Sequence, residues 1–260
     1  TRIGHSDKLI TEACEYTNSF LSFKPTVAII LNVAADHLDF FKDLDDIRHS
    51  FREYARLVPD DGALIINSDI DNIEYFTEGL KCSVITVGSD PNKSMYSAAN
   101  ITFDEFARGS YDLVVNGEIK DHITLKVTGK HNIYNSLASI AAAHFMGISN
   151  KDIKTGLMAY EGTDRRFQLK GKLGDITIID DYAHHPTEIK VTLKAARQTQ
   201  PKRLIVVFQP HRYTRTQLLL DEFAVAFKEA DELIVTDIYA ASEDPIPGIS
   251  GKMLAETIQR

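Results

Sequence analysis

The loop that most constrains the fold joins an apolar run, Ile176–Ile179, to an amphipathic stretch that opens at Pro186. Between them lie two acids, a tyrosine and two histidines: Asp180, Asp181, Tyr182, His184 and His185. Proline suits the first turn of a helix, because its missing N–H has no partner there. A strand, a polar loop and a helix in this order predict an open α/β sheet, whose ligands bind beyond the carboxyl ends of the strands. A ligand site is therefore favoured over the alternative, a capped turn whose polar groups bond their own backbone.

Apolar runs alternate with amphipathic helical stretches along the rest of the chain. Thr26–Val33 is nearly continuous in apolar residues, which is typical of a buried parallel strand. Between Asn100 and Val127 the period changes to two, and Asn116-Gly117 is a strong hairpin signal. We predict an α/β fold, with a mainly parallel sheet and an antiparallel hairpin edge followed by a Rossmann-like, doubly wound domain.

Local patterns place the other elements. The segment Leu9–Tyr16 is predicted to start as a short strand. Further strands are predicted at 63–66, 84–87, 204–208 and 233–235, and helices near 47–58, 130–146, 149–160, 187–198 and 215–229. A linker at 161–164 sets the predicted boundary between residues 1–164 and residues 165–260.

Composition excludes several classes of protein. The chain has 260 residues and a net charge of −8, so nucleic acid is not expected as a general partner. We find no apolar run that could span a membrane and no signal peptide, and we expect no membrane partner. Cys14 and Cys82 lack disulfide or metal spacing, as is usual in a reducing cytoplasm. We expect a cytoplasmic protein of unassigned oligomeric state, and the ends at Thr1 and within an uncapped helical pattern predict a fragment.

A metal site is one interpretation of Glu12, Glu15 and His37, which follow apolar runs. Strand ends meet at one sheet edge, where carboxylates and an imidazole can hold Mg²⁺, although Mg²⁺ prefers oxygen ligands. Spacing alone favours the alternative of solvated acids and a turn histidine.

Three further groups of residues suit nucleotides or anions. Asn132 and Asn135 are three residues apart on a predicted helix, so their amides share a face that can contact a purine, with capping by Asn132 as the alternative. The pair Arg165-Arg166 suits phosphate, or is simply a solvated basic pair. The run from Phe208 to Thr216 carries cationic side chains at the N-terminus of a predicted helix. Because the positive end of the helix dipole repels cations, a compensating negative group is expected. The sequence contains no G-x-x-x-x-G-K-[ST] or G-x-G-x-x-G loop.

Six motifs in order resemble the Mur ligases over nearly the whole chain. They are Glu12-Ala-Cys-Glu-Tyr16, Asn32-Val-Ala-Ala-Asp-His-Leu-Asp39, Gly129-Lys-His-Asn132 with Asn135, Gly162-Thr-Asp-Arg-Arg-Phe167, Asp180-Asp-Tyr-Ala-His-His-Pro-Thr-Glu188 and Phe208-Gln-Pro-His-Arg-Tyr-Thr-Arg-Thr216. The last two motifs point to the branch that joins L-alanine to UDP-N-acetylmuramate. The resemblance implies a central ATP-binding domain at 1–164 that lacks its start and its phosphate loop, and a C-terminal domain at 165–260 that lacks its end.

The resemblance also implies roles for single residues. Glu12 and His37 would bind Mg²⁺, with Glu15 a weaker candidate. His131, Asn132, Asn135, Arg166 and Asp181 would bind ATP. Tyr182, His184, His211, Arg212 and Arg215 would line the substrate pocket, with His184, Arg166 and Arg212 in catalysis. No carbamylated lysine is expected, because the helix after the Asp-His motif has arginines and no lysine.

The implied reaction is ATP-driven amide formation in peptidoglycan synthesis, through an acyl phosphate. Two alternatives stay open: a murein-peptide recycling ligase of the same family, and a non-catalytic nucleotide-binding fragment. We expect this chain by itself not to hydrolyse ATP, because the phosphate loop is missing.

Overall fold

The computed structural model describes residues 4–37 and 40–258, so Leu38 and Asp39 of the Asp-His motif lie outside the described residues. The strands are β1 (Val27–Ile30), β2 (Ala63–Asn67), β3 (Ser83–Val87), β4 (Tyr96–Phe103), β5 (Arg108–Val115), β6 (Glu118–Thr128), β7 (Gln168–Leu173), β8 (Ile176–Asp180), β9 (Ile205–Phe208) and β10 (Glu232–Val235). The helices are α1 (Leu44–Ala55), α2 (Glu74–Thr77), α3 (Lys130–Phe145), α4 (Asn150–Ala159), α5 (Pro186–Gln198), α6 (Tyr213–Leu218), α7 (Leu220–Ala224) and α8 (Gly251–Ile258), with a 3₁₀ helix at Tyr16–Ser22.

Six strands form one sheet in the order β1-β2-β3-β4-β5-β6, and β1 to β4 pair in parallel. The strands β5 and β6 are joined by the turn Asn116-Gly117, whose φ angles of 51° and 79° suit a two-residue hairpin. Leu64, Ile65 and Ile66 of β2 are fully buried, as expected for a parallel strand covered on both faces. The predicted parallel sheet with an antiparallel hairpin at its edge is confirmed.

Two small sheets follow in the last hundred residues. The strands β7 and β8 form an antiparallel hairpin, and β9 and β10 pair in parallel. Phe208 of β9 packs with Ile189 of α5, Phe223 of α7 and Leu254 of α8 in one apolar core. The parallel β9–β10 pair with its helices matches the predicted alternation of strands and helices.

The described chain divides into two compact units, and each unit is built from several separate segments of the sequence. The first unit contains residues up to Asn100, Asp112–His122 and Tyr134–Ile153; the second contains Ile101–Tyr111, Ile123–Ile133 and residues from Lys154 onward. The domain boundary between residues 164 and 165 stays a prediction. No helix in the described ranges is long and apolar enough to cross a bilayer.

Two predicted elements are wrong. Leu9–Tyr16 does not start as a strand: Leu9 and Ile10 are 85% and 87% exposed, and the segment is irregular up to the 3₁₀ helix. The helix predicted at 215–229 is two short helices, because Leu219 leaves the helical region with φ −108° and ψ 23°. Apolar spacing continues across Leu219, which is why the sequence pattern indicated one helix.

Candidate functional site

Three groups with metal-ligand chemistry, Glu15, Asp36 and His37, converge in the first unit. Their ligand atoms all lie within 4.8 Å of one another. His37 Nε2 is 3.6 Å from Glu15 Oε1 and 4.0 Å from Asp36 Oδ2. The His37 N–H donates to Asp36 Oδ1 at 2.7 Å, which ties the two residues into one turn. Two partly buried carboxylates and an imidazole form a donor set that suits a divalent cation.

Glu12 is exposed and does not belong to this cluster, as far as the described residues extend. Glu15 directly precedes the 3₁₀ helix, and that turn brings its carboxylate beside the imidazole of His37. The structure therefore brings Glu15 to His37, although the family resemblance implied Glu12 ahead of Glu15. The roles of Glu12 and His37 as metal ligands stay predictions.

The start of α3 places the imidazole of His131 directly over Gly129. Gly129 has a φ of 99°, and a Cβ there would lie 2.7 Å from Cε1 and 2.9 Å from Nδ1 of His131. Burial lowers the pKa of His131, while the charge of Asp181 raises it by less. His131 is consequently neutral at pH 7 and offers hydrogen bonds rather than charge.

Both asparagines of the same motif lie on α3. Asn132 is inside the helix rather than at its cap, and its Nδ2 donates to the carbonyl of Thr128 at 2.9 Å. This bond fastens the helix to the end of β6. The assignments of His131, Asn132 and Asn135 to adenine binding stay predictions.

Asp181 holds the loop after β8 together. Its Oδ2 accepts the N–H of Phe167 at 2.7 Å, and its Oδ1 accepts the N–H of Ala183 at 2.8 Å and the hydroxyl of Thr192 at 3.1 Å. Three bonds use most of the roughly four acceptor positions of a carboxylate. For this residue the capped-turn alternative describes the geometry, and a ribose contact stays a prediction.

Two adjacent arginines pack against the same loop. Arg166 Nη1 lies 3.5 Å from Glu188 Oε1, and Arg165 Nε lies 3.9 Å from Asp180 Oδ2. The guanidinium of Arg165 also covers the ring of Tyr182 at 4.6 Å. The pair is therefore engaged with the loop that the sequence singled out, while a γ-phosphate contact by Arg166 stays a prediction.

The N-terminus of α5 confirms the predicted helix start at Pro186. His185 is the cap residue, and its Nδ1 accepts the N–H of Thr187 at 3.3 Å. Glu188 Oε2 reaches back to accept the N–H of His184 at 3.0 Å and of His185 at 3.2 Å. This reciprocal arrangement is a capping box, which fixes the two histidines relative to the helix.

The charge of Glu188 is stabilised by its surroundings. Burial raises the pKa of Glu188, but the His184 N–H, the attraction to a protonated His184 ring, the His185 N–H and the charge of Arg166 together outweigh burial and lower it. Glu188 is therefore ionised at neutral pH, next to the imidazole of His184.

His184 has one ring nitrogen bound to acceptors. Its Nδ1 is 2.9 Å from the carbonyl of Tyr182 and 3.5 Å from Glu188 Oε2. Because both partners accept, the neutral ring carries its proton on Nδ1 and a lone pair on Nε2. The ring lies 5.6 Å from that of His211, so the loops after β8 and β9 bring two histidines together.

His211 is held from two sides. Its ring stacks on Tyr239 with centroids 5.5 Å apart, and Arg215 Nη1 donates to its Nδ1 at 3.3 Å. Burial lowers the pKa of His211, and the positive charge of Arg215 lowers it further. His211 is neutral at pH 7, with its proton on Nε2 because Nδ1 accepts from a guanidinium.

Arg212 occupies a strained position just before α6. Its φ of 70° and ψ of 140° lie outside the regions that non-glycine residues favour. Arg212 Nη1 lies 3.9 Å from Glu243 Oε1, and Glu243 also accepts the N–H and the hydroxyl of Thr214. Glu243 is the compensating negative group that the sequence predicted without identifying it.

The sequence missed Glu243 and Tyr239, which both follow β10. The rule that located the other loops, polar residues after a buried strand, applies here as well. Tyr239 was the available signal: it stands soon after Leu233–Val235 and before an acid-rich turn. The site in the second unit therefore comprises the loops after three strands, β8, β9 and β10.

Comparisons with known proteins agree with these motifs. The family model of the Mur ligase middle domain matches residues 4–143, and that of the Mur ligase glutamate ligase domain matches residues 165–260. The UDP-N-acetylmuramate–L-alanine ligase of Lachnospira eligens is 56% identical over 259 residues, which cover 100% of this chain and 56% of that relative.

Two solved structures have the same fold. The UDP-N-acetylmuramate–alanine ligase of Thermotoga maritima is 28% identical with a TM-score of 0.72, covering 93% of this chain and 50% of that one. A murein peptide ligase of Psychrobacter arcticus is 28% identical with a TM-score of 0.60, covering 83% of this chain and 44% of that one. This chain spans about half the length of the relatives that it matches. On the two family models, which together span most of its residues, the chain belongs to the Mur ligase family.

Proposed function

We propose that the chain is part of a ligase that joins L-alanine to UDP-N-acetylmuramate at the expense of ATP, in peptidoglycan synthesis in the cytoplasm. Mur ligases are ATP-dependent, so the energy source follows from the family. The observation that carries the choice of substrate is the 56% identity, over the whole chain, to a ligase named for UDP-N-acetylmuramate and L-alanine.

The second unit supplies the chemistry that this reaction needs. A carboxylate substrate requires cationic partners, and Arg212 and Arg215 follow His211 in the chain, with Arg215 bonded to its ring. The muramate carboxylate attacks the γ-phosphate of ATP to give an acyl phosphate, and ADP leaves. Positive side chains offset the charge that moves with the phosphoryl group. The amine of alanine then attacks the acyl carbon, and phosphate leaves.

His184 is the proposed base for the amine. Its Nδ1–H is committed to Tyr182 and Glu188, so Nε2 presents a lone pair. Ionised Glu188 stabilises the imidazolium that forms when Nε2 takes the proton. Neutral His211 lies beside it without adding a positive charge that would oppose proton uptake.

The donor sets in each unit support the cofactor sites that we propose. We infer that Mg²⁺ is held by Glu15, Asp36 and His37, because two carboxylate oxygens supply the hard ligands that the ion prefers. Bound there, the ion would offset the negative charge of the ATP phosphates. Arg166, Asp181, His131 and the asparagines of α3 are the proposed ATP contacts.

The recycling ligase is the competing function, since a murein peptide ligase has the same fold at 28% identity. A chimera decides between the two. These 260 residues would replace the matching 56% of the Lachnospira eligens ligase, and phosphate release would be followed with UDP-N-acetylmuramate, ATP and either L-alanine or a tripeptide. Release that depends on L-alanine supports the proposal, and release that depends only on the tripeptide refutes it. The chain by itself is expected to release no phosphate, because the sequence has no phosphate loop.

A further inference from the structure

The loops after β9 and β10 are fastened together by backbone hydrogen bonds. The N–H of Arg212 donates to the carbonyl of Tyr239 at 2.8 Å, and the N–H of Tyr239 donates to the carbonyl of Pro210 at 2.8 Å. This isolated parallel bridge extends the pairing of β9 and β10 beyond their ends. The loop that carries His211 and Arg212 consequently has its shape set by the loop that carries Tyr239 and Glu243.

Both loops store backbone strain at the point where they meet. Ala241 and Ser242 have φ angles of 48° and 71°, and Arg212 has a φ of 70°, although none of them is a glycine. Non-glycine residues with positive φ are rare outside places where surrounding contacts impose them, and such places cluster at ligand sites. The N–H of Glu243 donates to the carbonyl of Ala240 at 3.0 Å and closes the strained turn.

Glu243 accepts hydrogen bonds from Thr214, which follows the loop after β9, with both carboxylate oxygens. Its Oε1 accepts the hydroxyl of Thr214 at 2.6 Å and its Oε2 accepts the N–H of Thr214 at 3.1 Å, at the first turn of α6. The guanidinium of Arg212 lies 3.9 Å from Oε1, close enough for charge attraction but too long for a hydrogen bond. Glu243 therefore orients Arg212 without occupying its donors.

We propose that Glu243 is a positioning residue for the amino-acid site: through Thr214 and the strained turn, it holds the Arg212 guanidinium in place for the carboxylate of the incoming amino acid. This inference rests on the proposed function. A carboxylate of the substrate forms charge-assisted hydrogen bonds with the donors of Arg212 that Glu243 leaves unused. The side chain of Glu243 is partly buried, with 19% of it exposed, which fits this role.

The charge of Glu243 also acts on His211, which gives a test that does not depend on turnover. Glu243 raises the pKa of His211 against burial and the surrounding positive charges, which lower it. In the 260-residue chain, Glu243→Gln is expected to move the NMR titration of His211 to lower pH. Asp244→Asn removes the same charge one residue away, at an exposed side chain, and is expected to leave the titration unchanged.

Kinetics of the chimeric ligase test the positioning role itself. Glu243→Ala is expected to raise the KM for L-alanine about tenfold, the loss of roughly one oriented charge-assisted contact. Glu243→Gln, which keeps an acceptor for Thr214, is expected to raise it less, and the KM for ATP is expected to stay constant in both. Asp244→Asn is expected to match the unsubstituted chimera.

Each outcome decides a different point. An unchanged KM for L-alanine in Glu243→Ala, with unaltered near-ultraviolet circular dichroism, overturns the positioning role and leaves the proposed function standing. An equal rise in the KM for ATP also overturns it, since a general loss of structure would act on both substrates. If the unsubstituted chimera does not respond to L-alanine, the proposed function fails and this inference falls with it.

Discussion

Replacement of Glu188 tests whether the capping box at α5 fixes the histidine loop. Glu188 Oε2 accepts two backbone N–H groups, at 3.0 Å and 3.2 Å, and its other oxygen lies 3.5 Å from a half-exposed Arg166. Loss of a cap costs about 1–2 kcal/mol, whereas an exposed ion pair adds about 0–1 kcal/mol, so the cap dominates. Glu188→Ala is therefore expected to speed amide exchange in the first turns of α5 about 5- to 30-fold at pH 7.

The pH dependence of this effect has a definite sign. The pKa of Glu188 in the folded chain lies below its ordinary 4.5, so its stabilisation is present above pH 4.5 and is lost as pH falls through the folded pKa. Glu188→Gln, which resembles the protonated acid, should exchange faster than the native chain at pH 7 and converge with it well below pH 4.5.

Hydrogen–deuterium exchange, read by mass spectrometry on the peptide that spans α5, measures this directly at each pH. Glu256→Gln is the matched control, because Glu256 is an exposed glutamate of α8 whose carboxylate lies 4.0 Å from Lys252 Nζ. Equal protection of α5 in the native and Glu188→Ala chains at pH 7 would refute the capping argument. A difference that persists unchanged at low pH would refute the charge argument.

Four further predictions concern single residues in the two units. Gly129→Ala should lower the free energy of unfolding by about 1–3 kcal/mol, measured by urea denaturation, because of its positive φ and the contact with His131. In His131→Gln, the free energy of unfolding should decrease less as pH falls below 6.5. The pKa of His131 is lowered in the folded state, so the native state resists protonation and loses stability at low pH when the histidine is present. Glu15→Gln should weaken Mn²⁺ binding, measured by electron paramagnetic resonance, about tenfold or more. The same change at Glu12 should have a smaller effect, and the reverse order would favour Glu12 over Glu15 as the metal ligand. His184→Gln should slow alanine-dependent phosphate release of the chimera about 10²–10⁴-fold, and an unchanged rate would remove His184 as the base.

The strands were predictable where burial is complete. A central parallel strand such as β2 is covered on both faces, so its sequence is a continuous apolar run that needs no tertiary context. The sequence analysis did not predict β7: Leu169 and Leu173 alternate with Lys170 and Lys172, but Gly171 leaves a gap between the two apolar side chains. That strand forms through pairing with β8, which a local pattern does not contain.

The site was predictable at the level of loops more than of single contacts. Polar clusters after β8 and β9 marked the loops of His184 and His211, which the fold brings to a ring separation of 5.6 Å. The choice between Glu12 and Glu15 depends on the turn of an irregular segment, so sequence spacing did not decide it. Glu243 lies 31 residues from Arg212, and their ion pair exists only through the bridge between two loops.

In the proposed reaction, the ligase to which these residues belong activates the muramate carboxylate by phosphorylation before L-alanine attacks. The most direct test is turnover of the chimera with UDP-N-acetylmuramate labelled with ¹⁸O in its carboxylate, followed by mass spectrometry of the released phosphate. An acyl phosphate transfers one carboxylate oxygen to phosphate when the amine displaces it, so each product phosphate should carry one atom of the label in the presence of L-alanine. Alanine-dependent phosphate that carries no label would contradict the claim.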